Sequence, residues 1–288
     1  GSVIAGDTIS VNLFKLLGAA AKLNPQRRVI LSDNGNFPSD LYVAQGLRDL
    51  LDEGHQLKIV EPEAIESAID GTIAVTMITE VDYRSGRLHD MKALTAKAHA
   101  KGALTIWDLA HSAGATPVDL KGASADFAIG CTYKYLNGGP GAPAFLYVKP
   151  SLQNRVAPPL TGWWGHAAPF AFDLDYRPAP GIIRNQCGTQ PMLSMIALDA
   201  AMDVWDDVDM QAVRKKSIAL CKKFANLAES RCGKHGLSLA GPRNFERRGS
   251  QVSLNCPEGY AVMQALIANN VVGDFRAPDK IRFGFTPL

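Results

Sequence analysis

Short apolar runs alternate with segments of helical period through the first half of the chain. Residues 3–5 read as the end of a strand, and Asp7-Thr8-Ile9-Ser10 as a turn with a capping residue before an amphipathic helix over 11–23. A strand over 28–32 follows, then Asn36-Phe37-Pro38-Ser39-Asp40, which leads into a helix ending at Leu51. Residues 57–60, a helix over 63–69 and the apolar run 73–78 continue the alternation, and 80–86 is a loop. The segment 90–100 carries Met91, Leu94 and Ala98 at helical spacing and stops at Lys101-Gly102, a basic residue and a capping glycine. Three further apolar runs, 103–107, 126–131 and 144–148, read as strands. This order predicts an α/β fold with a mostly parallel sheet covered by helices.

The second half is less regular. Residues 150–180 are rich in Pro, Gly and aromatics, and long irregular segments of that kind are usually functional or interfacial. Arg184-Asn185-Gln186-Cys187-Gly188-Thr189-Gln190-Pro191 is expected to open a helix reaching Trp205, and a second helix covers 210–231. Short strands at 237–240, 251–254 and 281–285 alternate with a helix over 259–269, a pattern suited to a smaller α/β lobe. The lobe boundary falls after Thr189, giving a large domain over 1–190 and a smaller C-terminal domain over 191–288. No internal repeat or low-complexity segment is present.

A length of 288 residues agrees with two lobes, since single cores stop growing near ~250–300 residues. Lys plus Arg total 30 against 28 for Asp plus Glu, and a net charge of +2 gives no field favouring nucleic acid or an anionic membrane. The expected partner is a small molecule. The five cysteines are scattered and contain no CxxC pair, which argues against a disulfide framework or a zinc site and fits a reducing cytoplasm. No apolar run approaches the ~20 residues of a membrane span, and no signal-peptide pattern opens the chain.

Candidate chemistry concentrates between Leu104 and Pro143. Asp108 directly follows an apolar run, where α/β sheets place functional side chains. Lys134 follows the next run, flanked by Tyr133 and Tyr135 and backed by Gly138-Gly139-Pro140-Gly141. Partial desolvation there would lower its pKa and free the amine for a Schiff base. Pyridoxal phosphate needs such a lysine and an acid at its pyridine nitrogen, the role that suits Asp108. Taken singly, a lysine after a strand is a solvated loop residue and an aspartate there a helix cap; the cluster favours a cofactor site.

Other positions complete the picture. Thr8 and Ser10 stand at a helix start, where backbone N–H groups and a hydroxyl suit a phosphate, although a plain cap would use the same residue. Phe37 could stack on a planar ring and Asp40 hold a polar ring substituent, or they could be core and first-turn acid. His111, three residues after Asp108, suits orienting that aspartate or touching a ligand, not a metal. The rings of Gly162-Trp163-Trp164-Gly165-His166 need a partner surface, a ligand or the chain's own core. Arg282 alternates with Ile281 and Phe283, which gives it a face suited to a bidentate grip on a carboxylate or to solvent.

In Trp107-Asp108-Leu109-Ala110-His111-Ser112-Ala113-Gly114 and Tyr133-Lys134-Tyr135-Leu136-Asn137-Gly138-Gly139-Pro140-Gly141, the chain resembles the kynureninases, fold type I pyridoxal-phosphate enzymes. The segments around Phe37, Trp163, Thr189 and Arg282 are similar to that family's in the same order. The resemblance implies a fold type I transferase-like architecture, pyridoxal 5'-phosphate, and hydrolysis of L-kynurenine or 3-hydroxykynurenine in the cytoplasm by a homodimer. It implies that Lys134 forms the Schiff base, Asp108 pairs with the pyridine nitrogen, Phe37 stacks on the ring, and Asp40 lies near the ring hydroxyl. It places His111 and Tyr133 in the inner shell and phosphate contacts at Thr8, Ile9 and Tyr133. Trp163 and Thr189 would reach in from the second subunit, Arg282 would hold the substrate carboxylate, and Tyr133 would donate a proton.

The chain departs from the family pattern in three ways. It is expected to lack the N-terminal segment of the large domain and the final helix, and it carries Glu80 and Asp82 where His and Asn are expected. The alternatives are another fold type I enzyme, an aminotransferase or cysteine-desulfurase-like lyase, and a degenerate cofactor-binding or scaffold paralogue.

Overall fold

The computed structural model describes residues 1–288. The chain divides into two compact units, the first made of residues 1–80, 90–110 and 119–206 and the second of 81–89, 111–118 and 207–288.

The first unit is built on a seven-stranded sheet. Its strands are β1 (Val3–Ala5), β2 (Val29–Asp33), β3 (Gln56–Val60), β4 (Ile73–Thr79), β5 (Leu104–Asp108), β6 (Phe127–Cys131) and β7 (Ala144–Val148). Their order is β1-β7-β6-β5-β4-β2-β3. The run from β3 to β6 is parallel, and β7 pairs antiparallel with both β6 and β1, so the expected mostly parallel, mixed sheet is present. Every residue of β4 and β6 is buried, which is why these strands read as continuous apolar runs and not as alternating ones.

Helix α1 (Ile9–Leu23) packs across β4 to β7 and against α2 (Pro38–Leu51). Leu13, Leu16 and Leu17 join Ile106, Phe127 and Ile129 in the core of the unit. Helix α3 (Ile65–Ala68) is one turn preceded by a 3-10 turn, and α4 (Met91–Ala100) starts where Asp90 accepts the Ala93 N–H at 2.9 Å. The helix expected over 184–205 is shorter than its sequence pattern suggests. A 3-10 turn covers Gly181–Asn185, residues 186–191 are irregular, and α5 is Met192–Met202. Pro191 disfavours a helical Gln190, and no side chain caps the helix start, so the chain enters α5 three residues past Thr189.

The second unit holds an antiparallel sheet in the order β10-β11-β9-β8, from β8 (Ser238–Leu239), β9 (Gln251–Asn255), β10 (Asp274–Arg276) and β11 (Lys280–Gly284). Strand β10 was not anticipated; three residues give too short a pattern to read. Helices α6 (Met210–Cys232) and α7 (Gly259–Ala268) cover an apolar core that includes Cys221, Ala225, Val252, Leu254, Met263 and Ile281.

The segment 81–89 is tied to this unit by backbone bonds, Leu88 N–H to Arg247 O and Gly249 N–H to Gly86 O, and by a buried cation. Arg248 is fully buried and donates to the carbonyls of Ala240 (2.7 Å), Pro242 (2.8 Å) and Ser85 (2.9 Å). Burial pulls its pKa down to about 10. Gln251 adds bonds to the carbonyls of Asp82 (3.1 Å) and Tyr83 (2.9 Å). No helix is long and apolar enough to cross a membrane, and all five cysteines are free thiols.

Phe127, at 0% exposure in β6, should be a main support of the first unit. Phe127→Ala is expected to lower its stability by about 3–5 kcal/mol in urea unfolding; a loss below about 1 kcal/mol would show that the sheet core does not depend on that ring.

Candidate active site

Asp108 is the last residue of β5 and Thr79 the last of β4, and the parallel register pairs them directly. The Ala110 N–H donates to Asp108 Oδ1 at 2.8 Å, and Thr79 Oγ1 donates to Oδ2 at 3.4 Å. Burial pushes the Asp108 carboxyl above its ordinary value, opposed by the Ala110 hydrogen bond, by the charge of Lys134 and by Thr79. The acid is thus held in one orientation at the carboxyl end of the sheet, where the chain ends of α/β sheets carry chemistry.

Strand β6 stops at Cys131, and the next residues form a tight turn. Gly138 N–H donates to Thr132 O at 2.9 Å and Asn137 N–H to Lys134 O at 3.0 Å. A Cβ on Gly138 would come within 3.0 Å of that same Thr132 oxygen, so the close approach requires glycine. The turn presents Tyr133 half-exposed and Lys134 partly buried, with Lys134 Nζ 5.7 Å from the centre of the Tyr133 ring. Burial, Cys131 and the Asp108 charge all hold the Tyr133 hydroxyl above its usual pKa.

Asp40 comes to the same place from the first turn of α2. The turn before it is fixed by Asn36, whose side chain accepts the Phe37 N–H at 2.8 Å and donates to Ser32 Oγ at 3.2 Å. Asp40 is 1% exposed, and its Oδ2 has no hydrogen-bond partner. Burial raises its pKa well above the carboxylate range, the Asp108 charge raises it further, and Lys134 opposes both. Asp40, Asp108, Tyr133 and Lys134 therefore share one electrostatic neighbourhood. An orphaned buried oxygen, a fixed acid and an amine fit pyridoxal phosphate, whose ring carries a hydroxyl and a basic nitrogen. Phe37, 41% exposed, stands at the start of α2, three residues before Asp40.

Thr8 caps α1, accepting the Val11 N–H at 3.3 Å, so Ile9 and Ser10 occupy the first helical positions with their N–H groups outward. This corner is tied down by buried polar groups. Lys15, 1% exposed, donates to Asp7 Oδ2 (2.7 Å) and to Asn185 O (2.6 Å), and Asn12 donates to Gly6 O (3.0 Å). The Asp7 N–H donates to Gln190 Oε1 at 3.2 Å. Thr189 therefore lies in an irregular segment whose next residue bonds the α1 corner, and not at a helix start as its sequence pattern suggests. Trp163 sits in a 3-10 turn, 41% exposed, with its ring 4.5 Å from Trp164 and 5.8 Å from Phe170.

The remaining two candidates belong to the second unit. His111 is buried in the segment 111–118. Arg282, on β11, faces Asp274 on β10 across the antiparallel pair. Its Nε donates to the two Asp274 oxygens at 3.0 and 3.1 Å, its Nη2 donates to Oδ2, and its Nη1 donates to Tyr83 O at 2.6 Å. Asp82, one of the departures from the expected pattern, accepts the N–H groups of Arg84 (2.6 Å) and Ser85 (3.1 Å) and so fixes the turn that aims the Tyr83 carbonyl. Sequence reasoning missed Thr79 and Asp274. The first shows only in the register of β4 against β5, and the second only once β10 is known to pair with β11.

Residues 213–288 match the profile of the kynureninase C-terminal domain. The whole chain is 53% identical to a kynureninase of Pseudomonas fluorescens and 54% identical to one of Burkholderia pseudomallei, in each case over 70% of the relative's length. Among solved structures, a cysteine desulfurase from Thermococcus onnurineus superposes with a TM-score of 0.83 at 20% identity, covering 99% of this chain and 74% of that one. The cystine C-S lyase C-DES, in complex with cysteine persulfide, gives 0.82 at 16% identity, covering 100% of this chain and 77% of that one. At such identities these structures establish the fold alone, that of fold type I enzymes.

The raised pKa of Asp40 makes a stability prediction for the cofactor-free protein. A carboxyl that holds its proton more tightly when folded contributes stability at acid pH, and that contribution is lost as pH rises through the raised value. Asp40→Asn should therefore melt higher than the wild type at neutral pH, with the gap closing towards about pH 4. A gap independent of pH in thermal melts would remove Asp40 from the buried charge cluster.

Proposed function

The chain belongs to the kynureninase family, and we infer from that membership that it hydrolyses the Cβ–Cγ bond of L-kynurenine or its 3-hydroxy form, with pyridoxal 5'-phosphate as cofactor. The products are anthranilate, or 3-hydroxyanthranilate, and alanine. The observation that carries this reading is 53% identity along the entire chain to a kynureninase.

When bound, pyridoxal phosphate supplies an aldehyde that joins an amine and a protonated ring that draws electrons from the substrate Cα. Lys134 would hold the aldehyde, and its amine, once released, takes the proton from the substrate Cα. Asp108, its carboxylate fixed by Thr79 and the Ala110 N–H, would pair with the ring nitrogen and keep its proton in place. Asp40 would hold the ring hydroxyl and Phe37 would stack on the ring. Thr8, the Ile9 backbone and Tyr133 receive the phosphate, supported by the outward N–H groups at the start of α1. Water adds to the γ-carbonyl, and the Tyr133 hydroxyl, beside Lys134, returns a proton to the carbon left on the alanine side. Arg282 grips the substrate carboxylate, and His111 contacts ring or substrate.

The same reading has a homodimer working in the cytoplasm, with Trp163 and Thr189 completing the partner's site. Support for a dimer comes from apolar side chains left in water on the first unit: Phe170, Phe172 and Leu174 in one loop, and Met192, Leu193 and Ile196 along α5. Five free cysteines suit a reducing compartment.

Full-length protein supplied with cofactor should show its absorbance band and convert kynurenine to fluorescent anthranilate, and Lys134→Ala should abolish both. Formation of a keto acid without anthranilate would point instead to transamination, and tight cofactor binding without turnover to a non-catalytic relative.

A further inference from the structure

Arg282 is held in one orientation before any ligand is added. A guanidinium has five N–H donors, and two of its edges can each pair with a carboxylate. Asp274 occupies the edge formed by Nε and Nη2, and the Tyr83 carbonyl takes one hydrogen of Nη1. One hydrogen on each of Nη1 and Nη2 is left for a second carboxylate. The side chain is only 13% exposed, so its approach is confined.

Asp274 is itself anchored. Arg276 Nη2 donates to Asp274 Oδ2 at 3.3 Å, and the Arg276 guanidinium lies 5.9 Å from the centre of the Tyr83 ring. The contacts close a circuit from the Tyr83 carbonyl through Arg282, Asp274 and Arg276 back to the Tyr83 ring. Opposite charges directly across an antiparallel pair stabilise each other, and Asp274 and Arg282 stand in that relation. Two guanidiniums against one carboxylate leave a positive charge unmatched.

We propose that Asp274 is a positioning residue for substrate recognition: it orients Arg282 so that the two remaining hydrogens meet an α-carboxylate, without neutralising the charge that carboxylate needs. The proposal rests on Arg282 being the carboxylate grip. An arginine freed from Asp274 would have to be ordered by the substrate itself, which weakens binding with little effect on the chemical steps.

The test uses full-length holoenzyme with L-kynurenine and, as a probe without a carboxylate, its decarboxylated amine. Asp274→Ala should raise KM for kynurenine about tenfold while kcat changes less than about threefold. Asp274→Asn, which keeps an acceptor oxygen in place, should recover part of that loss. Binding of the amine, followed by the cofactor absorbance, should be the same in wild type and D274A. The double variant R282A/D274A should bind kynurenine no worse than R282A alone, because the two act through one contact. A lower KM in D274A would show that Asp274 competes with the substrate and overturn the proposal, as would equal weakening of kynurenine and the amine. If R282A leaves the KM for kynurenine unchanged, the carboxylate reading of Arg282 falls first and takes the proposal with it. If R282A raises KM but D274A and D274N do not, the proposal alone fails.

Discussion

Two carboxylates and one ammonium cannot all be satisfied in a place that excludes water. Asp40 and Asp108 are both buried, both raised by that burial, and both dependent on Lys134 for the only opposing charge they share. With Asp108 partnered by Thr79 and Ala110, the deficit falls on Asp40, whose Oδ2 lacks a hydrogen bond. A buried group left in that state costs about 1–3 kcal/mol. A ligand that brings a hydroxyl to Asp40 and a cationic ring to Asp108 relieves both at once. Cofactor affinity is then partly a measure of how poorly the cluster is satisfied without it, and occupancy must stabilise the fold by mass action.

Such a cluster persists only on a scaffold that cannot relax around it. Strands β4, β5 and β6 end side by side, and the residues that follow are held by backbone bonds from Glu80 and Leu109 and by the short side chains of Asp108 and Thr132. The turn at Thr132 to Gly138 gives the Lys134 side chain a fixed origin. At the other corner, Lys15 and Asn12 lock the entry to α1, so the outward N–H groups keep their direction without help from a ligand.

The fold was largely legible because strand and helix periods in the first unit differ sharply, and fully buried strands give unbroken apolar runs. Asp108 and Lys134 were legible for the same reason, since each follows such a run. Lys15 was not: a lysine on an amphipathic helix looks like part of the polar face, yet it is buried between Asp7 and the Asn185 carbonyl, a partner 170 residues away. Thr189 misled because a hydroxyl before a helix resembles a cap, while Pro191 delays the helix. Nor does local pattern mark 81–89 as part of the second unit; that membership rests on bonds to Arg247, Arg248, Gly249, Gln251 and Arg282, far along the chain, several of them to carbonyls, which have no sequence.

Arg248 and Arg282 show how one side chain type can serve opposite ends within a single unit. Arg248 donates to carbonyl oxygens and lies over the Phe245 ring, and desolvation without a compensating carboxylate weakens its hold on its proton, so its value is geometric: it joins strands and loops. Arg282 meets a carboxylate and a carbonyl and keeps donors in reserve. Had Asp274 been absent, the Tyr83 carbonyl alone would fix one nitrogen and let the plane of the guanidinium turn. Had a second carboxylate been present, the positive charge would be cancelled. One acid between two arginines is the arrangement that orients the group and keeps it attractive to an anion.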